Sequence, residues 1–169
     1  MSTATLVSVE EYLKLEAKPA YEFIAGVLRQ KQMPTANGSL VQAMLIVLLS
    51  SRAPQFRAMP EAHVKIREDE YLVPNVLLAR RDSIERPYAT KPVYLCVEIA
   101  SPGDRPGQLL AKCEEYHKWG VPYCWVIDPD RKSAWVYHRD SVEWIKLEGS
   151  GMLVAGDIEL PLEDVFQDV

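Results

Sequence analysis

Hydrophobic and polar positions follow two different periods along the chain, and each period predicts one kind of element. Residues 62–67 place polar His63, Lys65 and Arg67 between apolar neighbours, and a period of two is typical of a half-buried strand. Short apolar runs predict further strands at residues 21–31, 73–79, 123–127, 134–138 and 142–147. Gly26 interrupts the first of these runs, so we expect a turn or a bulge there.

Two longer segments are predicted to be helices. Residues 39–51 are apolar almost all round, which is typical of a helix that is largely buried. Residues 108–119 place apolar side chains near helical spacing, and Gly120 stands where it can cap the C-terminus of that helix. Residues 52–60 are expected only to close the first of these helices.

A shorter helix is predicted near the start of the chain. Ser8 is suited to cap it, and Glu11 stands three residues later in the capping-box position. Leu13 and Leu15 supply a small apolar face for this helix. The remaining connections, at residues 34–38, 68–70, 80–90 and 128–130, are predicted to be loops or turns.

Residues 93–100 form an almost continuous apolar run that only Glu98 interrupts strongly, which suits a central strand buried on both faces. A helix separates this strand from the next one, so the two are expected to be parallel with a right-handed crossover. The predicted fold class is therefore α/β, with a mixed central β-sheet flanked by helices. Residues 1–169 are expected to form a single domain.

Composition excludes some classes of protein. No apolar stretch approaches the about 18 residues that a membrane span needs, so no membrane association is expected. The formal net charge of -5 argues against a surface that coats nucleic acid, although a local basic patch remains compatible with it. Three cysteines without CxxC spacing indicate reduced, buried thiols in a cytoplasmic protein.

Glu98 is the sharpest chemical feature of the sequence. A carboxylate inside an apolar strand is costly to bury unless it is paired, hydrogen-bonded or bound to a cation. It also stands near the C-terminal end of its strand, where open α/β sheets commonly place their sites. The alternatives are a structural salt bridge to a nearby Lys or Arg, or simple exposure at the strand end.

Three other residues are candidates for the same cleft, each with an ordinary alternative. Asn75 follows Pro74 at the start of a predicted strand, but Pro-Asn is also good turn chemistry. Lys112 lies in the helix after Glu98, where a solvated surface lysine is the common case. Glu22 opens the first predicted strand and is otherwise an exposed acid.

These positions match the motifs of a known family. The matching segments are Tyr21-Glu22-Phe23-Ile24-Ala25-Gly26, Pro74-Asn75-Val76-Leu77-Leu78, Val97-Glu98-Ile99-Ala100-Ser101-Pro102, Lys112 with Tyr116, and Gly120-Val121-Pro122-Tyr123-Cys124-Trp125-Val126-Ile127-Asp128-Pro129. Over nearly the whole chain the sequence resembles the Uma-two family of restriction-endonuclease-like proteins. The resemblance implies a restriction-endonuclease-like core and a site of the PD-(D/E)XK type.

Such a site implies Mg²⁺ or Mn²⁺ held by carboxylates, with a lysine near the scissile phosphate. On the resemblance, Glu98 and Asn75 are the metal-binding positions. Lys112 is the lysine, supplied from the following helix, and Glu22 is an early acid that can join the site. Glu98, Lys112, Asn75 and Glu22 are thus the expected catalytic residues.

The chain departs from the family pattern at two places. Asn75 replaces an aspartate, and Gln108 stands where the family often has an acid one turn before the lysine. Both changes remove negative charge, which weakens the attraction for a cation. Asp104 follows the Glu98 strand closely and is a candidate to compensate for the loss.

Two functions follow from this pattern. The first is a metal-dependent endonuclease that hydrolyses DNA phosphodiester bonds, with activity impaired by Asn75. The second is a catalytically inactive nuclease-fold protein that acts as a binding or assembly module. Aromatic residues cluster towards the C-terminal half, at Trp119, Tyr123, Trp125, Trp135, Tyr137 and Trp144. Core and hairpin packing explains such a cluster, and a homodimer interface is the alternative.

Overall fold

The structure is a computed structural model and describes residues 6–148 and 150–169. Its helices are α1 (Val9–Leu13), α2 (Ala36–Arg52), α3 (Pro106–Trp119) and α4 (Leu162–Val165). Its strands are β1 (Tyr21–Ile24), β2 (Val27–Gln30), β3 (Phe56–Pro60), β4 (Val64–Arg67), β5 (Glu70–Leu72), β6 (Val76–Arg80), β7 (Leu95–Ile99), β8 (Tyr123–Asp128), β9 (Ser133–His138), β10 (Ser141–Lys146), β11 (Met152–Ala155) and β12 (Ile158–Pro161). A 3₁₀ turn at Arg81–Ser83 follows β6.

The central sheet has six strands in the order β10-β9-β8-β7-β6-β3. Strands β7 and β8 are parallel and are joined through α3, while the other neighbouring pairs are antiparallel. The sheet is therefore mixed, as the sequence predicts. All five residues of β7 are buried, which confirms the predicted central strand.

Helices cover the two faces of this sheet. Because side chains alternate along a strand, Leu95, Val97 and Ile99 of β7 pack in the core cluster that contains α2. Cys96 belongs to the cluster that contains α3. Glu98 has the same parity as Cys96, so the alternation turns it towards α3.

A second sheet, ordered β2-β1-β5-β4, stands beside the central one and carries Glu22 on β1. The predicted strand at residues 21–31 is in fact the hairpin of β1 and β2. Ala25 and Gly26 form its turn with φ of 48° and 83°, so the expected turn at Gly26 is present. A third pair, β11 and β12, lies in a region where the sequence pattern predicted no strand.

The local pattern also missed two strands elsewhere. β3 occupies the segment expected only to close a helix, and β5 includes part of the predicted acidic turn at residues 68–70. Both strands gain their hydrogen bonds from distant partners: β3 pairs with β6, and β5 pairs with β1 and β4. Such pairing overrides a weak local signal.

The buried faces of α2 and α1 differ from those that the sequence predicts. α2 begins at Ala36 with Thr35 as its cap, inside the predicted loop. Only one face of α2 is buried. Leu40 is 41% exposed and Val47 is 62% exposed, so the prediction of a largely buried helix was wrong. In α1 the capping box of Ser8 and Glu11 is present.

The predicted apolar face of α1 is also wrong. Leu13 and Leu15 are exposed, and Tyr12 is the buried residue of α1. It stacks on Phe23 with ring centroids 5.1 Å apart, so the aromatic ring of Tyr12 anchors the helix to β1.

The thiols and the tryptophans follow the sequence reasoning. Cys96, Cys113 and Cys124 are all free and buried, and burial raises the pKa of Cys96 and Cys124. Trp125 is fully buried, and Trp135 stacks on Trp144 across the β9–β10 hairpin. Over residues 6–148 and 150–169, no helix is long and apolar enough to cross a membrane.

Candidate active site

The four residues that the sequence singled out line one cleft of about 850 Å³ between the two sheets and α3. Glu22 comes from β1, Asn75 immediately precedes β6, Glu98 comes from β7, and Lys112 comes from α3. Asp104 also lines the cleft. The structure therefore brings together side chains that are far apart in the sequence.

Glu98 is only 2% exposed, and two side chains of α3 contact its carboxylate. Lys112 and Tyr116 stand one helical turn apart, so both project towards the same strand. The Lys112 ammonium lies 2.8 Å from Oε1 of Glu98. The Tyr116 hydroxyl donates a hydrogen bond of 2.7 Å to the same oxygen.

Lys112 also reaches Glu22, whose Oε1 lies 2.7 Å from the ammonium. Burial lowers the pKa of Lys112, but the carboxylates of Glu98 and Glu22 outweigh burial and raise the pKa above its ordinary value. Lys112 therefore remains a cation over the physiological range. The salt bridge offered as an ordinary explanation for Glu98 is present, and the two carboxylates together exceed the lysine by one negative charge.

Glu22 is likewise anchored through one oxygen. The backbone N–H of Val73 donates to Oε1 of Glu22 at 3.0 Å, and this is the oxygen that Lys112 contacts. The side chain is buried, with 7% of the residue exposed. Each of the two acids thus makes these short contacts with the protein through its Oε1.

Asn75 is engaged at both ends of its amide. Its Oδ1 accepts a hydrogen bond of 2.9 Å from the backbone N–H of Ile99, the residue after Glu98. Its Nδ2 donates to Oε1 of Glu61 at 3.2 Å. Glu61 in turn pairs with Lys31, with 3.1 Å between the ammonium and Oε2.

Sequence reasoning missed Glu61. It lies between β3 and β4 with a φ of 50°, a conformation that few residues other than glycine adopt. It shares the cleft with Glu98, and Gln42 of α2 also donates to its Oε1, at 3.2 Å. No periodic pattern marks such a residue, because its place depends on the packing of α2 and β2 around it.

Gln108 and Asp104 line the cleft as well. Gln108 lines it without a charge. Asp104 uses Oδ2 to accept the backbone N–H of Ser101 at 2.8 Å, which stabilises the turn after β7. Whether Asp104 compensates for Asn75 and Gln108 stays a prediction.

The formal net charge of the cleft lining differs from the net charge of the whole chain. Its lining includes four acids, Glu22, Glu61, Glu98 and Asp104, and four cations, Lys18, Arg29, Lys31 and Lys112, so the formal sum is zero. Lys18 and Arg29 lie on one lip of the cleft. Lys18 precedes the β1–β2 hairpin, and Arg29 lies in its second strand. Arg29 is the cross-strand partner of Glu22, and both side chains therefore emerge on the same face.

The donor set of this cleft fits a hard divalent cation. Mg²⁺ prefers oxygen ligands, usually one or two carboxylates with water in the other positions. Glu22 and Glu98 supply two carboxylates, and Asn75 supplies an amide oxygen. In the described part of the chain, no three His, Cys, Asp or Glu side chains are grouped closely enough to hold a metal ion. The site is therefore poorer in anionic ligands than a site with three converging acids.

Comparisons with known proteins agree with the fold. A crystal structure from Anabaena variabilis ATCC 29413, described as "a putative nuclease belonging to DUF820", matches with a TM-score of 0.81 and 25% sequence identity. The match covers 95% of this chain and 98% of that one, so the α/β fold with a restriction-endonuclease-like core is confirmed. A comparison with curated proteins found no match.

The sequence model of one family covers almost the entire chain. Residues 9–169 match Uma2, whose description is "Putative restriction endonuclease". The resemblance inferred from the motifs is confirmed, and the chain belongs to the Uma2 family.

Proposed function

We propose that this protein is a metal-dependent endonuclease that hydrolyses DNA phosphodiester bonds and holds its cation weakly. One observation carries the proposal: Glu22, Glu98 and Lys112 meet in a cleft, with both carboxylates almost fully buried. Burying two carboxylates against one ammonium costs free energy and leaves an excess of one negative charge among these three side chains. A cation from solution removes that imbalance.

The residues have distinct roles in this proposal. Glu98 and Asn75 would hold a Mg²⁺ or Mn²⁺ ion, with Glu22 as a second carboxylate. When bound, such an ion would supply Lewis-acid activation of the phosphate and of the attacking water. Lys112 stays protonated, because the adjacent carboxylates raise its pKa, and so it stabilises negative charge on the phosphate rather than removing a proton.

The lip of the cleft supports DNA as the substrate. Lys18 and Arg29 are exposed there, and no carboxylate lies within 4.0 Å of either in residues 6–148 and 150–169. Cations on one lip can contact backbone phosphates and bring the scissile bond towards Glu98. A chain with a net charge of -5 then needs only this local surface for binding.

Asn75 is the reason to expect weak activity. Its amide oxygen brings no negative charge and already accepts the Ile99 N–H. A hard cation therefore gains less from Asn75 than from an aspartate at the same place.

The same hydrogen bonds favour the second candidate function, a catalytically inactive nuclease-fold protein that binds a partner. Asn75 is engaged at both ends of its amide, and the additional acid beside it, Glu61, is paired with Lys31. On this account the polar cleft stabilises the fold and no hydrolysis occurs.

Plasmid nicking and isothermal calorimetry with Mg²⁺ and Mn²⁺ distinguish the two. The variants are Glu98→Gln, Asn75→Asp and, as a control, Glu143→Gln on the exposed face of β10. Metal-dependent nicking by the parent and the control, absent in Glu98→Gln, supports the nuclease. Metal binding and nicking gained only in Asn75→Asp support the inactive form. No metal binding by the parent or by Asn75→Asp overturns the nuclease.

A further inference from the structure

We infer that Tyr116 positions Glu98 in the proposed site by holding one carboxylate oxygen so that the other stays available to a cation in the cleft. The inference rests on the proposed function, because a free oxygen has a role only where a ligand binds. Tyr116 lies on α3, and no part of it is exposed to solvent.

The geometry assigns the two oxygens of Glu98 different surroundings. The Tyr116 hydroxyl lies 2.7 Å from Oε1, and the Lys112 ammonium lies 2.8 Å from the same atom. A carboxylate with two short donors on one oxygen has little freedom to rotate about its last bond. Oε2 is then presented in a fixed direction.

Lys112 and Tyr116 have different effects on the negative charge of the Glu98 carboxylate. Lys112 orients Glu98 but cancels one negative charge, which opposes the binding of a cation. A tyrosine hydroxyl is a neutral donor at physiological pH, because the ordinary pKa of its side chain is about 10. Tyr116 therefore fixes the carboxylate without reducing its attraction for a cation.

Glu22 is fixed in the same way from a different source. Its Oε1 accepts from the Val73 backbone N–H and contacts Lys112, and Glu22 lines the same cleft. The recurrence of this pattern at both acids argues that Tyr116 serves the site in addition to filling the core. The neutral donor at Glu98 is a side chain, and so it can be removed by substitution.

Tyr116→Phe tests the inference, because it keeps the ring and removes the hydroxyl. The matched control is Tyr137→Phe, in the same core cluster, whose hydroxyl makes no hydrogen bond to the residues that the structure describes. Calorimetric titration with Mn²⁺ gives the affinity of the folded protein. We expect Tyr116→Phe to bind Mn²⁺ about 10-fold more weakly than the parent, as is typical when a supporting hydrogen bond of a metal ligand is lost. Tyr137→Phe should bind as the parent does.

Electron paramagnetic resonance at saturating Mn²⁺ adds a signature that a purely structural role does not change. The spectrum of Tyr116→Phe should broaden relative to the parent, because a Glu98 carboxylate held by Lys112 alone is less constrained and gives several ligand arrangements. A folded Tyr116→Phe protein with the affinity and spectrum of the parent overturns the inference and leaves the proposed function intact. A parent that binds no Mn²⁺ overturns both, and its own flat titration identifies that case.

Discussion

Asn75 and Glu61 are joined by a hydrogen bond of 3.2 Å from the amide Nδ2 to the carboxylate Oε1, across the mouth of the cleft. The family resemblance implies an aspartate where this chain has Asn75, and an ionised aspartate there could not donate to Glu61. The Asn75 amide is therefore chemically complementary to the Glu61 carboxylate. Asn75 therefore lets the Glu61 carboxylate lie beside it.

Asn75→Asp should lower the free energy of unfolding in the absence of metal by roughly 1–2 kcal/mol, because a hydrogen bond to a charged group becomes a repulsion between partly exposed carboxylates. Urea unfolding in the presence of a chelator measures the change. The double variant Asn75→Asp, Glu61→Gln should recover most of the loss, since the amide introduced by the second substitution can donate to the new carboxylate. Additive effects of the two substitutions would show that the two side chains do not interact.

Lys112→Met should destabilise the fold by about 3–5 kcal/mol, because it leaves two buried carboxylates without their cation. It should also abolish metal-dependent nicking. The control is Lys118→Met on the same helix, where the side chain is 63% exposed and pairs with Glu115 at the surface. That change should stay within about 0.5 kcal/mol of the parent. Equal effects of the two substitutions would contradict the assignment of Lys112.

Arg29→Ala should weaken DNA binding without changing Mn²⁺ affinity, because the guanidinium lies on the lip and not among the metal ligands. Fluorescence anisotropy with a labelled duplex at several salt concentrations measures the effect. The slope of log affinity against log salt should fall by about one phosphate contact, or roughly 0.9. Arg139→Ala, at an exposed position outside the cleft, is the control. A slope that is the same in both variants and the parent would exclude the lip as the binding surface.

Alkaline pH should destabilise the protein through its buried tyrosines. Burial raises the pKa of Tyr71 and of Tyr137 to about 12, against 10.0 for the free side chain. Because the unfolded chain loses these protons first, their contribution is fully present below pH 10 and is lost as the pH rises towards 12.

The free energy of unfolding in urea, measured from about pH 8 upwards, should therefore stay level and then fall above about pH 10. Tyr137→Phe should reduce the steepness of that fall. A variant that loses stability as steeply as the parent would show that Tyr137 titrates normally in the folded state.

Much of the local structure could be predicted from the chain. The capping box at Ser8, the buried strand around Glu98 and the helix that ends before Gly120 are all present. These features depend on a few neighbouring residues, which is why local patterns predict them. β3 and β5 could not be predicted in this way, because each is held by strands from other parts of the chain.

The candidate site likewise has features that the sequence predicted and contacts that only the tertiary structure decided. By itself the sequence placed Glu98 in a predicted central strand and Lys112 and Tyr116 in the helix that follows it, and its motifs identified the family. Alternation along β7 and the helical repeat of α3 are local, so they are encoded locally. Only the tertiary structure decided that Glu22 meets Lys112, that Glu61 lies beside Asn75, and that Oε1 of each acid is occupied. Those contacts join separate sheets and helices, and their geometry arises only when the elements pack.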